Sequence, residues 1–218
     1  MKIYFYAVIL VAITSMAGSC KKNTDATASA NFGPLTAGSS WTYRSTTDGG
    51  PPSNYTITAT NRDTQVNNRT YRVLTTSTGE NQYRNKSGNE YYDFGTITDL
   101  NVQLEQLYLK DNAAVNATWK STVPFTVPQF PVTFTATMLY TIKEKGISRT
   151  VNGVNFSNVI RVGLDVSVEP SIGKIVDADM YYAAGVGLIE SRYVVQSIPL
   201  AGISGSTTTE VLTSYTIK

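Results

Sequence analysis

The chain has 218 residues, with 18 Lys+Arg against 16 Asp+Glu, no His and one Cys. A net charge of +2, with only 16% charged residues, excludes a strongly basic nucleic-acid binder and an acidic tail protein. The absent His removes Ser-His-Asp triads, Cys-His dyads and His-containing zinc or iron sites, and the single Cys excludes an internal disulfide and any multi-Cys metal cluster.

Met1-Lys2 is a short basic start, and Ile3 to Ile13 is an uninterrupted apolar run, too short for a permanent bilayer helix. Small residues follow. Gly18-Ser19-Cys20 resembles the cleavage site of a bacterial lipoprotein signal, with Ala17 where that signal usually carries Leu. The resemblance implies a signal peptide over residues 1–19, lipidation of Cys20, and the membrane as partner, each buried methylene of an acyl chain contributing about 0.8 kcal/mol. It places the protein in the bacterial cell envelope, at the outer membrane, and leaves no free thiol. Residues 20–34 are small, polar and aperiodic, and read as a flexible tether ahead of a β-rich domain over 35–218.

From there the chain alternates with period two. Tyr55, Ile57 and Ala59 oppose Thr56, Thr58 and Thr60; Val132, Phe134, Ala136, Met138, Tyr140 and Ile142 oppose a threonine-rich face; Leu164, Val166 and Val168 oppose Asp165, Ser167 and Glu169. Turn signals punctuate these runs at Asp48-Gly49-Gly50-Pro51, Ser87-Gly88-Asn89 and Ser171-Ile172-Gly173. Asn152-Gly153 predicts a tight hairpin, since a type I′ turn needs positive φ at both central positions. One short helix is expected over Asp99–Leu107, with Asp99 as its cap. Pro124, Pro128 and Pro131 exclude a central strand there, leaving a loop or an edge that hinges two halves.

The two halves, about 35–111 and 112–218, share landmarks in the same order: Trp41 with Trp119, Tyr55-Thr56-Ile57 with Tyr140-Thr141-Ile142, the Val66-Asn67-Asn68 turn and Tyr71 with Val151-Asn152-Gly153 and Phe156, and Tyr83 with Tyr182. The expected fold is all-β: a duplicated antiparallel β-meander forming a strongly twisted sheet, an incomplete barrel or a sandwich. Each Trp would begin a copy by plugging the concave face. The Gly18-Ser19-Cys20 signal, the G-x-x-W-x-Y opening at Gly38, Trp41 and Tyr43, the V-N-G-V-x-F-x-N-V-I-R-V hairpin from Val151 to Val162, and M-Y-Y-A-A-G-V-G-L-I-E from Met180 to Glu190 together resemble uncharacterised β-rich lipoproteins common in Bacteroidota. That resemblance implies a fold and an address but no activity.

Without His or free thiol, chemistry would rest on carboxylates, Tyr, Lys or Ser. Asp177 and Asp179 share a strand face, as residues two apart do, and could hold a cation or act as an acid/base pair, although a solvated outer face explains them as well. Glu90, Asp93 and Asp99 flank Tyr91-Tyr92, where loop solvation is the simpler reading. Tyr43, Tyr83, Tyr91, Tyr92, Tyr108, Tyr181 and Tyr182 offer rings that can stack on sugars, but tyrosine is also the usual strand residue between core and water. No cofactor is implied and no catalytic motif is present. The primary expectation is a noncatalytic envelope lipoprotein that binds or assembles with other envelope proteins. Two alternatives stand beside it: a carrier holding an apolar or acyl ligand in a concave half-barrel, and a glycan binder or carboxylate-based hydrolase. A concave face filled by Trp41, Trp119, Phe134 and Met138 would leave only the first; an unfilled dry groove would favour the carrier.

Overall fold

Strands alternating between apolar and threonine-rich faces bury one face by curling around it, and the protein does this with twelve antiparallel strands in a single sheet. The computed structural model describes residues 30–97, 102–126, 132–197 and 204–218. Cys20 and most of the tether, Asp99, Pro128 and Pro131 lie outside the described residues. The strands are β1 Ser40–Thr47, β2 Ser53–Val66, β3 Arg69–Thr76, β4 Asn81–Ser87, β5 Glu90–Ile97, β6 Val102–Lys110, β7 Thr118–Thr126, β8 Thr133–Val151, β9 Val154–Glu169, β10 Gly173–Ala183, β11 Gly187–Val195 and β12 Ser206–Thr216.

Spatial order runs β6-β5-β4-β3-β2-β1-β12-β11-β10-β9-β8-β7. Each half is therefore a six-stranded meander, and the two meanders join where β1 pairs with β12, Ser40 opposite Thr216. Such a long, twisted sheet rolls up. Bulges in six of the strand pairs add local bends, among them Tyr91/Tyr92 against β6 and Tyr181/Tyr182 against β11. The roll stops just short of closure. β6 and β7 face each other without a backbone ladder; across the seam Trp119 Nε1 of β7 donates to the Leu107 carbonyl at 2.6 Å, and the Tyr140 hydroxyl of β8 reaches past β7 to donate to Gln106 Oε1 at 3.0 Å. The result is a barrel with one unsealed seam.

The landmarks shared by the halves fall on strands of equal rank: Trp41 and Trp119 on the first, Tyr55 and Tyr140 on the second, Tyr83 and Tyr182 on the fourth. The second turn is also matched, with φ of 49° and 62° at Asn67 and Asn68, and 48° and 79° at Asn152 and Gly153, the positive values that a type I′ turn requires. Tyr83 and Tyr182 nevertheless face opposite ways. Gln82 and Arg84 point into the barrel, which turns Tyr83 outward, whereas Tyr182 points inward.

The segment expected to be helical is strand β6 instead, and none of the described residues is helical. Leu104, Leu107 and Tyr108 stand three and four apart, as on one face of a helix, but Leu104, Gln106 and Tyr108 also alternate inward with period two. Pairing of β6 with β5, Phe94 opposite Glu105, supplies backbone partners for one side of the strand and decides the matter. Pro124 sits on edge strand β7, where its missing N–H costs no ladder bond.

Residues 30–35 lie across the barrel end at which β1 begins. Phe32 is buried, its N–H donates to the Tyr91 hydroxyl at 3.0 Å, and the Gly185 N–H donates to the Asn31 carbonyl at 2.7 Å. The last residues of the stretch read as tether are thus docked on the domain. Trp41 Nε1 donates to the Val186 carbonyl at 2.7 Å and the Tyr43 hydroxyl to the Leu188 carbonyl at 2.9 Å, fixing the β10–β11 turn over the same end.

Candidate functional site: a two-part lumen

The inward faces enclose a cavity of about 490 Å³, lined by residues from nearly every strand and by Phe32 to Leu35. A second cavity of about 270 Å³ lies beside it toward the opposite barrel end, and Gln106, Leu164 and Val166 line both. The two differ in chemistry. The smaller is walled by Leu104, Val123, Phe125, Ala136, Met138, Val168 and Ile175, an almost wholly apolar surface along the β6–β7 seam. The larger is aromatic and polar.

Strand registry brings the polar groups together. Arg84 on β4 stands opposite Asp93 on β5, which stands opposite Gln106 on β6, so all three project inward from neighbouring strands. Arg84 Nε lies 3.8 Å from Asp93 Oδ1, too long for a hydrogen bond, and is buried without a hydrogen-bond partner; Arg84 Nη2 donates to Gln82 Oε1 at 3.0 Å. Burial pushes the Asp93 carboxyl above the ordinary aspartate value, and Arg84 only partly offsets this. Burial works against the Arg84 charge in turn, yet Asp93 and the surrounding tyrosines hold the guanidinium above its usual value, so it stays cationic. Across the chamber Glu210 accepts from the Tyr55 hydroxyl at 2.7 Å and from the Ser191 hydroxyl at 3.1 Å.

Tyrosine rings make up much of the wall. Tyr43 stacks on Tyr55 with centroids 5.5 Å apart, and Tyr108 stacks on Tyr182 at 5.5 Å. Burial raises the hydroxyls of Tyr43, Tyr108, Tyr140 and Tyr182 above the ordinary tyrosine value, and pushes that of Tyr193 up to about 12. These groups remain neutral donors throughout the physiological range.

The sequence-derived candidates separate into three places. Tyr182 lines the lumen, its hydroxyl 3.4 Å from Met180 Sδ. Tyr91 is buried beneath residues 30–33, its hydroxyl donating to Asp111 Oδ2 at 2.8 Å. The other four lie on the outer side of the wall, where Tyr181 is itself buried. Tyr92 carries the Arg69 guanidinium 3.5 Å above its ring and hydrogen-bonds Glu90; Tyr181 lies under the Arg149 guanidinium at 3.5 Å; Asp179 holds Arg161 through two bonds of 2.9 and 2.8 Å; Asp177 pairs with Lys174 at 2.5 Å. Asp177 and Asp179 thus meet cations of their own sheet rather than each other across a cleft, and no group of three or more His, Cys, Asp or Glu fit to hold a metal occurs among the described residues.

Asp93, grouped in the sequence with solvated loop acids, is a strand residue of the lumen. Gln82, Arg84, Gln106 and Glu210 carried no motif at all. One signal for them does exist: Glu210 is a lone charge between Thr208 and Leu212, two residues away on the same face of β12.

No protein-family model matches the chain, and no curated protein matches it by sequence. Among solved structures it is similar to one from Parabacteroides distasonis described as a "putative lipoprotein", at 14% identity and a TM-score of 0.53, covering 86% of this chain and 99% of that one. A second match is the hypothetical lipoprotein YmcC of Escherichia coli, at 8% identity and a TM-score of 0.42, over 83% of this chain and 86% of that one. At 14% identity, the Parabacteroides match establishes a shared β-sheet fold.

Proposed function

We propose that the protein is a noncatalytic, lipid-anchored carrier of the bacterial cell envelope that holds a small amphipathic ligand in its barrel. One observation carries this reading: the concave face is not filled but encloses a hollow with a polar chamber of about 490 Å³ beside a dry compartment of about 270 Å³. Ligand sites commonly span about 300–1,000 Å³ and combine apolar walls with a few placed polar groups. Trp41 and Met138 form wall rather than filling, and Phe134 is stacked on Phe125 at 5.6 Å. A hydrolase is disfavoured because both Glu210 oxygens are engaged by Tyr55 and Ser191, and Asp93 faces Arg84. Lipid on Cys20 would attach the chain to the outer membrane by the end that residues 30–35 cover, with the dry compartment toward the other end.

The test is binding of a fluorescent fatty-alcohol analogue to the full chain, beside mass spectrometry of lipid that co-purifies with it from membranes. Saturable binding that Ala136→Phe abolishes, by filling the dry compartment, is the expected result. No saturable binding and no co-purified lipid would refute the carrier. Separately, Cys20→Ala should release the protein from membranes; retention would contradict the anchor.

A further inference from the structure

The polar chamber contains more hydrogen-bonding capacity than the protein itself uses, and the surplus has a definite composition. Arg84 Nε is a buried donor without a partner among the described residues. The hydroxyls of Tyr108 and Tyr193, which line the same chamber, make no hydrogen bond to any described residue, and the side-chain amides of Gln82 and Gln106 accept through their oxygens while their NH₂ groups donate to none. The Tyr108 and Tyr193 hydroxyl oxygens can also accept, and beside them the Asp93 carboxylate stands 3.8 Å from Arg84 Nε. The buried Arg84 Nε costs free energy until an acceptor reaches it, and the partly accessible groups around it stand open to a ligand, so together they describe that ligand by complement.

Charge narrows the choice. The lining contains one guanidinium and two carboxylates, Arg84 against Asp93 and Glu210, so an anionic head would add a third negative group to a chamber already short of positive charge. An ammonium head only donates, so it would leave the buried Arg84 Nε without an acceptor and set a second cation beside the guanidinium. A neutral hydroxyl both donates and accepts, and several on one ring answer all of these groups at once. The half-buried rings of Tyr55, Tyr108 and Tyr193 in the chamber wall offer aromatic surface to the apolar face of such a ring.

We infer that the ligand is a neutral, polyhydroxylated head on a hydrocarbon tail, of glycolipid type, with the head at Arg84, Asp93, Tyr108 and Tyr193 and the tail along the β6–β7 seam between Leu104, Val123, Phe125 and Met138. This rests on the carrier reading above and names its ligand class.

Hexyl β-glucoside, hexanoate, hexylammonium and hexanol, each below its aggregation limit, are titrated into the full chain held in lipid nanodiscs, with tryptophan fluorescence as readout because Trp41 lines the chamber. The glucoside is expected to bind at least tenfold more tightly than the other three. Tyr108→Phe with Tyr193→Phe keeps both rings and removes two hydroxyls; it should weaken the glucoside about tenfold and leave hexanol unchanged. Equal binding of all four probes, or a preference for hexanoate or hexylammonium, would overturn the head-group assignment while sparing the carrier. If none of the four saturates and no lipid co-purifies, both fall together.

Discussion

The two six-stranded meanders are built on one plan and line opposite sides of one lumen, yet they line it differently. Strands β4 to β6 of the first half present Gln82, Arg84, Asp93, Gln106 and Tyr108. Strands β7 to β10 of the second present Val123, Phe125, Ala136, Met138, Leu164, Val166 and Val168 at matching depth, with Tyr140 and Tyr182 nearer the covered end. Their leading tryptophans differ in the same way. Trp41 is buried and fastens the covered end through Val186, whereas Trp119 is half-buried, stacks on Tyr140 at 5.7 Å and spans the seam to Leu107. A repeated strand plan thus does not fix the chemistry that lines the lumen: β4 to β6 make a wet wall beside the dry wall of β7 to β9, and Tyr193 and Glu210 of β11 and β12 complete the polar chamber.

The largest expected effect is alkaline and tests whether both halves are sealed alike. Burial raises the hydroxyls of Tyr43, Tyr71 and Tyr91 in the first half and of Tyr140 and Tyr182 in the second. A raised tyrosine value means the native state keeps protons that the unfolded chain releases, so stability is fully present below about pH 10 and falls above it. Each such tyrosine removes about 1.4 kcal/mol per pH unit. Cooperative unfolding is expected shortly above about pH 10, with tyrosinate absorbance appearing together with loss of the β-sheet signal. Tyrosinate absorbance from these residues in the folded protein would mean that one wall is open to solvent.

Next come the tryptophans. Trp41→Ala should cost about 3–5 kcal/mol in urea denaturation, the usual range for a buried aromatic, and Trp119→Ala clearly less because its ring is half-buried. Equal losses would break the asymmetry between covered end and seam. The seam itself is held by two side-chain hydrogen bonds, each worth about 1 kcal/mol, where other strand pairs have ladders. Amide exchange along β6 and β7 should therefore be faster than along β1 and β12.

A smaller contrast separates two Arg–Asp pairs. Asp93→Asn keeps the shape of the protonated carboxyl that burial favours, so at neutral pH it should leave stability unchanged or raise it by under about 1 kcal/mol, the gain kept small because the Asp93 side chain keeps 43% of its surface accessible. Asp179→Asn loosens an outer pair with Arg161 and should cost under about 1 kcal/mol. Their pH signatures differ too. Asp93 has a raised value in the fold, so its contribution declines as pH rises from the unfolded value toward the folded one, and Asp93→Asn should remove that slope. Asp177, whose carboxyl the Lys174 hydrogen bond holds below the usual range, contributes above the unfolded value and loses its contribution as pH falls through the folded one. A stability–pH curve for Asp93→Asn indistinguishable from the original would show that the lumenal carboxyl is as solvated as an outer one.

Much of the architecture is legible in the residues. Alternation assigns the inward faces of β2, β8 and β9 correctly, down to Ile57, Met138 and Leu164, because a half-buried strand has a period of two and no other solution. Asn67-Asn68 and Asn152-Gly153 mark their turns because few residues tolerate positive φ. Pro124 marks the edge because it cannot donate. Segment β6 misled, since Leu104, Leu107 and Tyr108 also fit a helical spacing, and only pairing with β5 chose between the two periods.

The candidate site was the least legible part. Tyr181 and Tyr182 are neighbours in sequence and on opposite sides of the wall; Asp177 and Asp179, the most suggestive acids in the sequence, are neutralised outside it by Lys174 and Arg161. Arg84, Asp93 and Glu210 belong to three strands from both ends of the chain and carry no shared motif. By itself the sequence determined strand content, hairpin turns, the internal repeat, the edge, and the absence of His and of any second Cys, since these follow from local backbone rules and composition. Only the tertiary structure decided that the sheet rolls around an unfilled lumen, which charges face it and where the seam falls. The reason is that cross-strand register and closure are set between residues far apart in the chain, as in Tyr55 and Glu210, separated by 155 positions.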